Sequence, residues 1–202
     1  MTATVRPPRT APGPSTVDVI WERPPALGMP GSALLRVRTT DPLHLVDLTD
    51  QVGSQVDAAV AATGASTGQV VVTCGHTSCG LIVNESETGL REDLFDMLST
   101  LAPPTPHRYW AHDDLSRRWE NLVPGERPNG HSHVLAMLAT HPSVTLPLWE
   151  GRMWLGQWQR IMLLECDGGR TREVLVQVWT TTAPTTEERA GNGTGADGGT
   201  PS

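Results

Sequence analysis

The chain predicts an α+β domain, a β-rich body with two or three helices packed on one face or end of the sheet. Three observations point there. Short β-branched runs recur between turn signals, and two stretches carry apolar residues at helical spacing. The strands do not alternate regularly with helices, which argues against a doubly wound sheet. A chain of 202 residues can bury one respectable core, so one domain is favoured.

Residues 1–32 are rich in Pro, Ala, Gly and Thr and read as a flexible arm, in which Trp21 is expected to dock on the chain's own core. The domain is expected over residues 33–180 and a disordered Gly, Thr and Ala tail over 181–202. Residues 33–38 alternate enough for a strand. Residues 46–49 lead through Asp50, read as an N-cap, into Val52, Val56 and Val60, whose spacing predicts a helix ended near Gly64. Residues 70–73 are a buried β-branched strand delivering His76 at its end, and residues 81–83 continue the sheet. Leu90, Leu94, Phe95, Met97, Leu98 and Leu101 have helical spacing, stopped by Pro103 and Pro104. A shorter helix is expected over 133–139. Residues 144–148, 153–155, 161–165 and 174–178 then read as strands of an antiparallel meander separated by Gly-containing turns.

The net charge of −7 comes without any block of Lys or Arg, which argues against a nucleic-acid groove or an anionic membrane surface and leaves small molecules as ligands. No apolar run approaches the roughly 20 residues that span a bilayer, and residues 1–9 have no apolar signal core, so a cytoplasmic protein is expected. Cys74, Cys79 and Cys166 are an odd number without a paired framework and are expected as reduced thiols; a Cys74–Cys79 disulfide is not expected.

Three of the seven histidines carry the chemistry: His76 in His76-Thr77-Ser78-Cys79-Gly80, His112 in His112-Asp113-Asp114, and His133 in Asn129-Gly130-His131-Ser132-His133. Imidazole ligates transition metals and titrates near neutrality, so three that converge would make a metal or acid–base site. Thr77 and Ser78 beside His76 can hold an oxyanion or phosphate, and the helix start at His133 offers amides to an anion. Cys79 before glycine reads as small core filler rather than a nucleophile. Glu85, in Asn84-Glu85 after a strand, and Asp93 on the next helix are either carboxylates orienting histidines or binding a second cation, or solvated charges. His44, His107 and His141 read as surface or turn residues. Trp158 reads as a core residue, with Gln159 or Arg160 facing substrate as a minority alternative.

In order and spacing these motifs resemble the YjbQ family, small proteins described as secondary thiamine-phosphate synthases. The resemblance runs from about Leu35 to Val178, and its most specific part is Ser143-x-x-Leu146-x-Leu148-x-x-Gly151-x-x-x-x-Gly156-x-Trp158-Gln159-x-Ile161, in which Gln157 stands where Thr or Ser is usual. Asp47-Leu48-Thr49, His76-Thr77-Ser78, Asn84-Glu85, Arg91 to Asp93, Tyr109-x-x-His112-Asp113 and Ser132-His133 agree with it, while the Tyr109-to-His112 spacing is one residue longer than the family pattern, Cys79 replaces the usual alanine and His131 a position often acidic or proline.

The resemblance implies a YjbQ-like α+β domain with an antiparallel β-sandwich-like body, and a homotrimer. It implies His76, His112 and His133 as ligands of a divalent metal, zinc foremost, with magnesium an option for a diphosphate substrate. His76, Glu85 and Asp93 are then the catalytic candidates, and Thr77, Ser78, Asn84, Trp158 and Gln159 the substrate-binding ones. The activity implied is thiamine-phosphate-synthase-like, joining hydroxymethylpyrimidine diphosphate to thiazole phosphate. The alternatives are a non-catalytic trimeric module binding a small ligand or metal, and a divergent hydrolase or lyase of secondary metabolism. The chain has neither a Gly-rich phosphate loop nor an aspartate-rich magnesium pair.

Overall fold

The structure is a computed structural model that describes residues 13–26 and 29–181. Of the tail expected over 181–202, Thr181 ends a strand and residues 182–202 lie outside the described residues, as do residues 1–12, 27 and 28 of the expected arm.

A large antiparallel sheet is built from β1 (Thr16–Arg23), β2 (Gly31–Arg38), β4 (Thr67–Cys74), β6 (Ser143–Trp149), β7 (Arg152–Met153) and β9 (Thr171–Thr181), in the order β1-β2-β9-β4-β6-β7. A second antiparallel sheet has β8 (Gln159–Glu165) between β3 (His44–Asp47) and β5 (Cys79–Glu85). Three helices, α1 (Thr49–Thr63), α2 (Thr88–Leu101) and α3 (Gly130–Ala139), complete the α+β domain.

The alternation in β2, β4 and β9 decides where the core sits. Ala33, Leu35 and Val37, Val70 and Val72, and Val174, Val176 and Val178 all point to one face of the large sheet and are buried. Apart from Ala33, these pack against Val52, Val56 and Ala59 of α1 and against Leu81, Ile161 and Leu163 of the small sheet. Each such Val, Leu or Ile side chain contributes about 1.5–3 kcal/mol relative to exposure. The other face of the small sheet supplies Leu45, Met162 and Leu164 to a second cluster with Phe95 and Leu98 of α2 and Leu135 and Ala136 of α3. Covered on both sides, β8 is buried at every position from Ile161 to Glu165. That continuous burial is the mark of a strand between two packed layers.

Several expectations are corrected. The segment expected as a flexible arm contains β1, which pairs with β2 from Thr16↔Arg38 to Arg23↔Ser32 across a bulge at Val19–Trp21; a ladder of backbone hydrogen bonds holds it despite its mostly exposed side chains. Trp21 lies half exposed on that strand rather than in the core. The last four strands are not a meander: β8 leaves for the small sheet and β9 inserts between β2 and β4, because their apolar faces belong to different layers. At α1 the capping acceptor is Asp47, whose Oδ1 receives the Thr49 N–H at 2.9 Å, and Asp50 sits inside the first turn. The predicted stop holds, with Gly64 in the left-handed region at φ 65°. His44 is buried at the start of β3, and Trp158, 65 % exposed, does not pack in the core.

Candidate functional site

The loop of residues 75–78 crosses from the large sheet to the small one, and α3 ends against it. Gly80 permits that approach, because a Cβ there would collide with the Thr140 side chain and lie 3.0 Å from the His141 carbonyl. At the other end of α3, Asp113 Oδ1 accepts the N–H groups of Asn129 at 3.0 Å and Gly130 at 2.8 Å. A short 3₁₀ turn, Ala111–Asp113, is thereby clamped onto the helix start. Gly130 is what lets them close: a Cβ would stand 2.9 Å from the His112 Cβ and 3.0 Å from that of Trp110. The anion expected at this helix start is therefore already present as the Asp113 carboxylate.

This clamp brings His112 and His133 together, with ring centroids 4.6 Å apart. His133 Nδ1 lies 3.1 Å from the Thr77 carbonyl, and His112 Nδ1 lies 3.4 Å from Asp113 Oδ1. Neither oxygen can donate, so in the neutral form of each ring Nδ1 carries the proton and Nε2 holds the lone pair. Both rings line a cleft of about 730 Å³ with Thr77, Arg117, Arg118, Glu120 and Glu126. Arg118 is paired with Glu126 at 2.7 Å, whereas Arg117 donates to the Tyr109 hydroxyl at 3.1 Å and keeps further donors. Burial lowers the pKa of His133, and the charge of His112 adds to the effect against the Thr77 hydrogen bond. Burial by itself would raise the pKa of Asp113, but the bonds from Gly130, Thr105, His112 and Asn129 outweigh it and keep the carboxylate ionised.

His76 stands next to this pair rather than within it. Its Nε2 accepts the Glu173 N–H at 2.9 Å, and its ring faces a smaller cleft of about 320 Å³ that shares Thr77 and His133 with the first. Burial and the Arg172 charge lower its pKa. Among the described residues, no group of three or more His, Cys, Asp or Glu side chains is placed to hold a metal ion.

The other sequence candidates divide in two. Ser78 is turned inward: its Oγ accepts from Arg172 at 3.0 Å and its carbonyl accepts the Cys166 N–H. Asn84, Glu85, Gln159 and Trp158 gather at the opposite end of the small sheet, where Glu85 pairs with Gln159 and Asn84 with Arg160. Six residue steps of extended strand separate Glu85 from Cys79, roughly 20 Å at about 3.3 Å per step. Gln159 Oε1 accepts the Gly156 N–H, a turn-closing role, and Asp93 is exposed on α2. Asn84 and Glu85 line an apolar groove under α2. The structure does not bring these carboxylates to the imidazoles.

Sequence reasoning missed Arg117, Arg118, Glu126 and a buried ion pair beneath the loop. Glu165, fully buried, meets Arg172 at 2.6 and 2.7 Å, accepts the Thr39 hydroxyl, and accepts the N–H groups of Asp167 and Gly168. Burial alone would raise the pKa of Glu165; the Arg172 hydrogen bonds and charge, with the two amides, lower it overall. A glutamate ending an otherwise apolar run, with an arginine seven residues on, was the signal available.

Residues 33–181 match the profile of the family described as UPF0047 protein YjbQ-like. The chain belongs to this family. A UPF0047 protein of Archaeoglobus fulgidus is 34 % identical over 143 residues, 71 % of this chain and 97 % of that protein. UPF0047 protein YugU of Bacillus subtilis is 27 % identical, covering 71 % and 96 %. Among solved structures, a YbjQ-like protein of unknown function from Sulfolobus solfataricus superposes with a TM-score of 0.61 at 26 % identity, over 83 % of this chain and 99 % of that one. A hypothetical protein from Aeropyrum pernix gives 0.57 at 31 % identity, over 74 % and 98 %. The matched span takes in every YjbQ-like motif that builds the cleft and leaves β1 outside. No helix among the described residues is long and apolar enough to cross a membrane.

Proposed function

We propose that this YjbQ-family chain is an enzyme acting on a phosphorylated small molecule, with a thiamine-phosphate-synthase-like transfer as the nearest named reaction. The observation that carries the reading is the His112–His133 pair: two imidazoles with both Nδ1 protons directed at oxygen acceptors, Nε2 lone pairs available, at a cleft edged by Arg117. An imidazole so oriented serves as general base and, once protonated, as general acid. The lowered pKa of His133 favours the neutral, proton-accepting ring near neutrality. In joining hydroxymethylpyrimidine diphosphate to thiazole phosphate, guanidinium donors of Arg117 would hold the diphosphate, and an imidazole that has first taken a proton from solvent would pass it to departing pyrophosphate.

A divalent metal, zinc foremost or magnesium with a diphosphate substrate, belongs to the reading. The pinned Nδ1 atoms suit ligation through Nε2, since an oxygen partner on the second ring nitrogen is what orients a metal-binding histidine. The described residues of one chain offer two adjacent imidazoles and not a set of three, so the fit is incomplete and no step above is routed through a metal. A homotrimer is likewise part of the proposal, as is the absence of nucleic-acid or membrane partners.

The test is turnover of the two thiamine precursors, and of a panel of phosphorylated heterocycles, with His112→Ala, His133→Ala and Arg117→Ala alongside the parent, accompanied by elemental analysis. Loss of turnover by about 100-fold or more in either histidine variant is expected. Unchanged turnover in both would overturn the reading.

A further inference from the structure

Beneath the loop that carries His76 and Thr77 lies a pair of thiols that the proposed reaction does not use. Cys74 ends β4 in the large sheet and Cys79 begins β5 in the small one, and their sulfurs are 3.5 Å apart. Both are buried and unbonded, at 2 % and 3 % exposure. Burial usually makes a cysteine inert, yet Cys79 forms part of the wall of the 320 Å³ cleft, beside His76, Thr77 and His133, so a small oxidant can reach the pair from the cleft. The third thiol, Cys166, is fully buried and lines neither cleft, and its pKa is pushed up to about 12 by burial.

We propose that Cys74 and Cys79 are a peroxide-sensitive dithiol whose closure to a disulfide ties the two sheets together under the cleft. One sulfur attacks the peroxide O–O bond, giving a sulfenic acid and releasing water. The second sulfur then attacks the sulfenic sulfur, forming the S–S bond and releasing a second water. Two thiols are oxidised by two electrons and one peroxide is reduced to two waters. The sulfurs must approach by about 1.5 Å to reach the 2.05 Å of a disulfide, a movement within reach of side-chain rotation and small shifts of the strand ends. The four residues spanned are Gly75, His76, Thr77 and Ser78. The Thr77 carbonyl orients His133, and Ser78 is anchored on Arg172, so closure strains the loop on its free side and displaces the Thr77 carbonyl from His133 Nδ1. The dithiol chemistry is independent of whatever reaction the cleft performs.

The experiment treats the full-length protein with hydrogen peroxide, blocks free thiols, and counts them after denaturation, with intact mass and His133 side-chain nitrogen NMR in parallel. The thiol count is expected to fall from three to one per chain, with the mass of two hydrogens lost, no cross-linked dimer, and full reversal by dithiothreitol. Cys166→Ser should still close the bond, and Cys79→Ala, checked for folding by circular dichroism, should not. The His133 ring signals should shift on oxidation of the parent and stay in place in Cys79→Ala. Three surviving thiols, a gain of oxygen mass without S–S formation, or a bond to Cys166 would overturn the dithiol. A Cys74–Cys79 bond that leaves the His133 signals unmoved would overturn the link to the cleft.

Discussion

The two sides of the 75–78 loop differ more than their adjacent residues suggest. On the inner side, Ser78, Arg172, Glu165 and Thr39 form a closed network in which the buried carboxylate receives hydrogen bonds at both oxygens. On the outer side, Thr77 gives a carbonyl to His133 and the imidazoles face open clefts. The inner side holds its charges by pairing them, which stabilises a unique loop; the outer side keeps the Nε2 lone pairs of His112 and His133, and the guanidinium donors of Arg117 beyond its Tyr109 bond, for a ligand. Neighbouring hydroxyl residues of one motif thus serve scaffold and site separately.

The largest effect should come from breaking the inner network. Glu165→Ala leaves the Arg172 guanidinium buried without its partner and should cost about 3–5 kcal/mol, read from urea unfolding. A loss below about 1 kcal/mol would mean that water reaches the pair. Next is the contact between helix and histidine turn: Gly130→Ala forces a methyl against His112 and Trp110 and should cost about 1–3 kcal/mol. It should also separate the His112 and His133 rings, seen as a changed His133 NMR environment.

The pH dependence sharpens the contrast further. Burial holds the folded pKa of His44, His76, His131 and His133 below the ordinary 6.5. Between the folded and unfolded values the unfolded chain binds more protons, so this stability is complete above 6.5 and declines as pH falls below it. Glu165, with a folded pKa below 4.5, retains its contribution above that value and loses it as pH falls through the folded pKa. Urea midpoints should therefore fall in two stages on acidification, and the lower stage should shrink in Glu165→Ala, with Asp47 and Asp113, whose folded pKa values are also lowered, keeping the remainder. A single stage in the parent would refute this assignment.

The smallest effect compares the two hydroxyls directly. Ser78→Ala strips an acceptor from buried Arg172 and should cost about 1–3 kcal/mol. Thr77→Ala, exposed and retaining its backbone carbonyl, should stay within about 0.5 kcal/mol. Equal costs would erase the distinction between the two sides.

Much of the fold was legible because its signals are local. Val52, Val56 and Val60 followed by Gly64 announced α1, and the Leu94–Leu98–Leu101 spacing ended by Pro103 announced α2. The exit of β8 to the small sheet was not legible, since an apolar run is the same string of letters in either layer. In the site, His112 and His133 were named from sequence, but nothing local indicated that Asp113 would clamp the α3 start, that Arg117 would edge the cleft, or that Glu165 would need Arg172.

The sequence by itself determined the α+β class, the main helices and strands, the family, and which histidines merit attention, because periodicity, caps and motif spacing act over a few residues. Only the tertiary structure decided that His112 and His133 meet while His76 stands beside them, that Ser78 is buried and Thr77 is not, and that Asn84, Glu85 and Gln159 collect at the far end of the sheet. Those outcomes depend on strand order and on which groups are desolvated together, and both are properties of packing between distant segments.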